Sequence, residues 1–207
     1  MDHKDMTDHK LMAAFQGGDV DAYTELYNRH LKGLLNFFYR LSWDRTLAED
    51  FTQEVLVKVF RMAREWTPQA KFTTFLYRVA KNLWIDHVRS AKVKRSGGSL
   101  DAKVSKNEAD SFVQMLPDEV RPPDDDIERR ETYGAIMAAL EQLPGEQRMV
   151  FVLSEIEGMR YQEIGEIMDV PVGTVKSRMH SAVARLQTLL EHVSPITGRK
   201  PASDEKE

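Results

Sequence analysis

The chain has no cysteine among its 207 residues, which removes disulfides, thiolate metal ligands and a cysteine nucleophile. It has no apolar run long enough to span a bilayer, and its opening residues, MDHKDMTDHK, lack the apolar stretch of a signal peptide. A cytoplasmic protein without membrane insertion is expected. A glycine-rich phosphate loop is missing too, and His3, His9, His30, His87, His180 and His192 are scattered rather than set at metal-ligand spacing. No metal, no cofactor and no catalysis are expected. The first half shows no strand-like alternation of apolar and polar residues, and the chain shows no internal repeat.

What is present is helical periodicity and segregated charge. The net charge is -4, an unpromising figure for a nucleic-acid binder, but the two signs are sorted along the chain, so the total misleads. With 42% hydrophobic residues there is enough apolar surface for two small cores.

Taken in order, a short helix is expected from Asp8 to Gln16, stopped by Gly17-Gly18. Asp19 opens a longer helix with Tyr23, Leu26, Tyr27, Leu31, Leu34, Leu35 and Phe38 available for a core, interrupted by Gly33. Asp44 is the N-cap of a third helix running to about Glu65, with Leu47, Phe51, Val55, Val59 and Met62 on its apolar side. Trp66 to Ala70 reads as a loop. A fourth helix follows from near Thr73 to about Lys94, striped by Phe75, Leu76, Val79 and Leu83.

From there the pattern lapses. Ser96-Gly97-Gly98-Ser99, three prolines and an acidic run ending at Asp126 indicate a flexible acidic linker over 96–125. Helix resumes near Asp126, and Leu143-Pro144-Gly145 starts another helix that Gly158 ends. Residues after Ser194 read as a disordered tail. The expected architecture is all-α: a domain at 1–95, the linker at 96–125, a domain at 126–193 and the tail at 194–207.

Tyr161 to Leu190 is the most informative stretch. Ile164, Ile167 and Met168 mark one face of a short helix, and Asp169-Val170-Pro171-Val172-Gly173 interrupts it. Val172, Val175, Met179, Val183 and Leu186 then line one side of a second helix, with Thr174, Lys176, Ser177, Arg178, His180, Ser181 and Arg185 on the other. Spacing leaves two readings open: a DNA-reading helix-turn-helix, or an ordinary helical hairpin with solvated charges.

In the first domain Lys71, Arg78, Lys81, Arg89, Lys92, Lys94 and Arg95 face only Asp86, and Trp66, Phe72, Tyr77 and Trp84 are interleaved with them. Cations to hold phosphates beside rings for unstacked bases suit single-stranded nucleic acid. The same rings could equally be core or rim aromatics. On the preceding helix Glu49, Asp50, Gln53 and Glu54 make an acidic patch opposite the apolar stripe.

The sequence resembles bacterial sigma factors of the extracytoplasmic-function group. YQEIG at 161–165 and PVGTVKSR at 171–178 are similar to region 4 of that family. AEDFTQEVLVKVFR (48–61) is similar to region 2.2, FTTFLYRVAKNLWIDHVR (72–89) to regions 2.3 and 2.4, and GDVDAYTELYNRH (18–30) to the opening of region 2. The resemblance implies a subunit that directs core RNA polymerase to promoter DNA, duplex and melted, and that has no enzymatic activity of its own. It implies that Glu49, Asp50, Gln53 and Glu54 bind polymerase. Trp66, Lys71, Phe72, Arg78, Lys81, Asn82 and Arg89 would meet the minus-ten element, with Trp66, Phe72 and Asn82 lining a pocket for a flipped base. Thr174, Lys176, Ser177, Arg178, His180 and Ser181 would meet the minus-thirty-five element. An anti-sigma factor is implied as a further partner. A self-sufficient repressor or activator using only the helix-turn-helix is the competing class, and it leaves the acidic patch and the aromatic–basic helix without a role.

Overall fold

The structure, a computed structural model, describes residues 2–68, 70–96 and 127–191. Among them every regular element is helical. α1 (Asp8–Gln16), α2 (Val20–Ser42), α3 (Arg45–Met62) and α4 (Phe72–Ser96) build the first domain. α5 (Ile127–Glu141), α6 (Gly145–Phe151), α7 (Tyr161–Met168) and α8 (Val172–Leu190) build the second. The linker expected at 96–125 lies outside the described residues apart from Ser96, which closes α4, and so does the tail expected at 194–207.

The helix starts follow local chemistry. Thr7, Asp19 and Asp44 accept backbone N–H groups of Lys10, Ala22 and Leu47 from their side chains, each satisfying one of the orphan donors of a first turn. α2 ends where Trp43 takes a left-handed conformation, φ 56°, and returns its N–H to the Tyr39 carbonyl at 2.7 Å. The third helix is expected to run to about Glu65. Its α-helical part stops at Met62, and a 3-10 turn, Ala63–Glu65, delivers the chain to Trp66. The helix expected to end at Gly158 likewise changes register. After Phe151 it widens into a π turn, Val152–Ile156, in which the Glu157 N–H reaches back five residues to the Val152 carbonyl. Gly158, φ 66°, then closes it.

Leu26, Leu34, Phe37, Phe38, Val55, Val59 and Leu76 close the first core, and the same apolar cluster continues through Met149, Leu153, Ile164 and Ile167 of the second domain. Each such side chain contributes ~1.5–3 kcal/mol by leaving water, so this shared burial outweighs any single polar contact. A smaller cluster of Ala139, Leu140, Leu143, Ala182 and Leu186 ties α5 to α8. One core expectation is corrected. Met62 is 47% exposed, because the buried stripe of α3 runs through Val55, Val59 and Ala63 and Met62 falls beside it.

Polar contacts among the described residues also fasten the domains to one another. The Tyr77 hydroxyl on α4 donates to Glu157 Oε2 at 2.5 Å. Gly33, a puzzle inside α2, permits this approach: a Cβ there would lie 3.0 Å from the Tyr77 hydroxyl and 3.4 Å from the Glu157 carboxylate. Arg148 donates to the Leu41 carbonyl at 3.1 Å while its guanidinium lies 5.8 Å from the centre of the Trp43 ring. Lys71 Nζ meets Glu163 Oε1 at 2.6 Å.

Burial pushes the Glu157 carboxyl above its ordinary range, and the Tyr77 hydroxyl, Arg40 and His30 only partly oppose this. A carboxyl whose pKa is raised in the native state binds more protons there than in the unfolded chain. Its contribution to stability therefore falls as pH rises through the interval above the ordinary glutamate value. Glu157→Gln imitates the protonated side chain. Its Tm is expected to match the parent's near about pH 4 and to exceed it at about pH 7. Melting curves across that range check this, and a pH-independent difference would count against a buried, proton-binding Glu157.

Candidate nucleic-acid interface

The turn between α7 and α8 is set by two residues. Asp169 ends α7 in a left-handed conformation, φ 57°, and Pro171 starts α8, where its missing N–H costs nothing. Gly165 lets the chain fold back tightly, since a Cβ there would sit 3.0 Å from the Val170 carbonyl. Val175, Met179, Ala182 and Leu186 bury one face of α8. Lys176, Ser177, His180 and Ser181 are consequently exposed on the other, in the i, i+1, i+4, i+5 pattern of a single face. Thr174 is half-buried beside them, its N–H on the Pro171 carbonyl at 2.8 Å. Arg178 differs from the others. It is turned inward into an ion pair with Glu146 at the start of α6.

α4 sorts its residues in the same way. Phe72, Phe75, Leu76, Tyr77 and Ala80 are buried, leaving Lys71, Arg78, Asn82 and Arg89 exposed and Lys81 half-buried. Trp66, Thr67, Ala70, Phe75 and Arg78 line a cleft of about 490 Å³, and Glu166 of α7 closes one side of it. Trp66 is half-buried, its ring centre 6.3 Å from those of both Phe72 and Phe75. Phe72 is 3% exposed and packs beneath the loop, 5.2 Å from the His30 ring. Asn82 accepts a hydrogen bond from Lys81 at 3.3 Å and lies one turn beyond Arg78, outside the cleft lining. Thus Trp66 and Arg78 are brought together, Phe72 supports them, and Asn82 stands apart.

Two carboxylates of α7 compete for this basic surface. Glu163 is held by the Lys71 ammonium and by the Arg160 backbone N–H at 2.9 Å. Desolvation pushes its carboxyl up, but these two partners outweigh it and hold the group below its ordinary value. Glu166 faces the Trp66 cleft.

On α3, Asp50 and Gln53 are exposed, while Glu49 and Glu54 pair within the helix with Arg45 and Lys58, at 2.8 and 2.9 Å. The same strip continues into two apolar residues that the sequence analysis passes over: Val57, 47% exposed, and Phe60, 46% exposed. Phe60 forms a ring cluster with Phe15 and Tyr23, at 5.0 and 5.1 Å. In VLVKVF every residue but Lys58 is apolar, so periodicity alone does not tell the buried from the exposed ones. Among the described residues no cluster of acidic or histidine side chains is arranged to hold a metal ion, and no helix is long and apolar enough to cross a membrane.

Comparison with known proteins gives the family. Residues 26–93 match the family described as Sigma-70 region 2, and residues 133–186 the one described as Sigma-70, region 4. The chain is 34% identical over 164 residues to the ECF RNA polymerase sigma factor SigW of Bacillus subtilis, covering 79% of this chain and 86% of that one. It is 30% identical over 186 residues to the RNA polymerase sigma-H factor of Pseudomonas aeruginosa, covering 89% and 94%. Two solved structures share the fold. CnrH in complex with the cytosolic domain of CnrY has a TM-score of 0.64 at 21% identity, over 90% of this chain and 99% of that one. The sigma factor RpoE in complex with the anti-sigma factor NepR, from Bartonella quintana, has a TM-score of 0.63 at 23% identity, over 82% and 97%. With both regions matched in order on one chain, the protein belongs to the sigma-70 family, in its extracytoplasmic-function group, and is a promoter-specific RNA polymerase sigma factor.

Proposed function

We propose that this sigma factor divides promoter use between two surfaces: α8 selects the minus-thirty-five duplex, and the Trp66 cleft with α4 captures the minus-ten strand as it melts. The observation that carries this reading is the single exposed face of Lys176, Ser177, His180 and Ser181, held out by the buried stripe behind it. A recognition helix in a major groove needs such a face for base edges. Thr174 and Arg178 flank it and hold phosphates, Arg178 after leaving Glu146. In the first domain Lys71, Arg78, Lys81 and Arg89 hold the backbone of the melted strand. Trp66 stacks on the flipped base, Phe72 backs the stack, and Asn82 meets the same strand one turn further on. Lys71 exchanges the Glu163 carboxylate for a phosphate when the domains part.

Core polymerase takes the α3 strip of Glu49, Asp50, Gln53 and Glu54, extended by Val57 and Phe60. Charge there steers and orients the encounter, and the two apolar side chains supply burial. The protein works beside polymerase in the cytoplasm and contributes binding, not catalysis. Because CnrH and RpoE were solved as complexes with CnrY and NepR, an anti-sigma factor is the proposed regulator.

Alanine at a base-reading position of α8 is expected to relax preference at one base pair, by ~1–3 kcal/mol for a good bidentate contact. Alanine at Arg178 should weaken every promoter alike and lower the salt dependence. Promoter-library profiles distinguish the two, and uniform loss from Lys176→Ala would exclude base readout by that residue. Asp50→Lys with Glu54→Lys should weaken core-polymerase binding without changing the helical content, and an unchanged affinity in a pull-down at physiological salt refutes the surface. Trp66→Ala should slow opening of a duplex promoter yet cost only about 1–2 kcal/mol of stability, against ~3–5 kcal/mol for the fully buried Phe37→Ala. A bubble template that lacks the recognised base should show little defect with this variant. A sharp fall in Tm with loss of every activity would instead make Trp66 a core residue.

A further inference from the structure

α1 carries none of the residues assigned above to DNA or to polymerase, yet its contacts converge on the loop after α3. Gln16, its last residue, donates from one side-chain nitrogen to the Ala63 carbonyl and to the Trp66 carbonyl, both at 2.7 Å. Chemistry decides the orientation of this amide, because two carbonyls require a donor and the other end of the side chain only accepts. The two carbonyls bracket the 3-10 turn, and the Trp66 N–H itself returns to the Ala63 carbonyl at 3.2 Å. Gln16 therefore grips both ends of the turn from which Trp66 projects.

Two turns earlier on the same face of α1, His9 sets its ring edge against the Trp66 indole. The centroids are 5.3 Å apart and the planes 75° to one another. Trp66 is thus held at its backbone by Gln16, and its ring by contacts with His9, Phe72 and Phe75. Stacking on an extruded base requires a ring plane already in place. A loop that must be ordered at the moment of capture forfeits part of the gain, and a loop ordered beforehand keeps it. Gly17 and Gly18, the latter at φ 101°, stop α1 directly after Gln16 and turn the chain into α2, which leaves this side chain free to reach the turn.

We propose that Gln16 and His9 are positioning residues for the downstream-element cleft: α1 holds the Trp66 backbone and ring ready for the flipped base, so the N-terminal helix governs promoter opening without touching DNA. This rests on the assignment of Trp66 as the stacking ring.

The test uses the full chain reconstituted with core polymerase, a duplex promoter, and a pre-melted template lacking the recognised base. Gln16→Glu keeps the size of the side chain and removes its donor. It is expected to slow opening of the duplex about five- to hundredfold, the consequence of two lost hydrogen bonds of ordinary net strength. Core affinity, binding of the upstream duplex and activity on the pre-melted template should stay at parental level, which a general folding defect would not allow. Gln16→Lys restores a donor and should recover most of the rate. In a Trp66→Ala background Gln16→Glu should add nothing, because the ring it positions is gone. His9→Ala should act in the same direction as Gln16→Glu, and with Gln16→Ala it carries the test if Gln16→Glu fails to fold. A parental opening rate for Gln16→Glu beside a slowed Trp66→Ala overturns the positioning role while leaving the stacking role intact. Additive losses in the double variant overturn it as well. A parental rate for Trp66→Ala itself removes the stacking assignment, and the positioning role with it.

Discussion

The burial of one face of α4 is the constraint on which the rest depends. Phe72, Phe75, Leu76, Tyr77 and Ala80 leave water together, and a helix turning 100° per residue then has no freedom over the remainder. Lys71, Arg78, Asn82 and Arg89 must stand in solvent because their neighbours do not. A binding surface is obtained without any element dedicated to it. The cations are held at fixed intervals on a rigid rod, and the aromatic residues beneath keep Trp66 at its edge.

α8 repeats the logic on a smaller core. Its buried stripe is shared with α6, α7 and, through Ala182 and Leu186, with α5, so the exposed face is anchored along its length. The turn before it tolerates little change, since Gly165 lies against the Val170 carbonyl and Asp169 sits in a left-handed conformation. A side chain that forces this turn open would rotate the reading face as a whole. The orientation of the exposed face therefore depends on the packing behind the helix.

The contacts that join the domains are of another kind. Beside the apolar cluster that both domains share, they include polar, partly buried ones: the Tyr77–Glu157 hydrogen bond, the Arg148 grip on the Leu41 carbonyl, and the Lys71–Glu163 pair. Lys71–Glu163 places a carboxylate on a cation that the proposed function gives to a phosphate. Contacts between charged groups respond to salt and to competing anions, whereas the apolar cluster does not.

Much of this was legible from residue order alone. The caps at Asp19 and Asp44 and the apolar periods of α2, α3 and α8 are local signals, so the all-α class and the exposed faces of α3 and α8 followed from them. Local pattern also carried the family resemblance, because its motifs are contiguous. Other features join residues far apart in the chain, and no window of sequence contains them. Gly33 reads as a weak point in a helix until Tyr77 and Glu157 arrive beside it. Met62 reads as core until the buried stripe of α3 passes it by for Ala63, and Val57 and Phe60 read as core-compatible in a run too apolar to have a single face. Gln16 reads as an ordinary helix end, 47 and 50 residues from the carbonyls it holds. The sequence by itself determined the helices, their polarity and the family, because those depend on neighbours within a turn or two or on contiguous motifs. Only the tertiary structure decided which residues share a cleft and which side chain steadies another, because those depend on where separate helices come to lie.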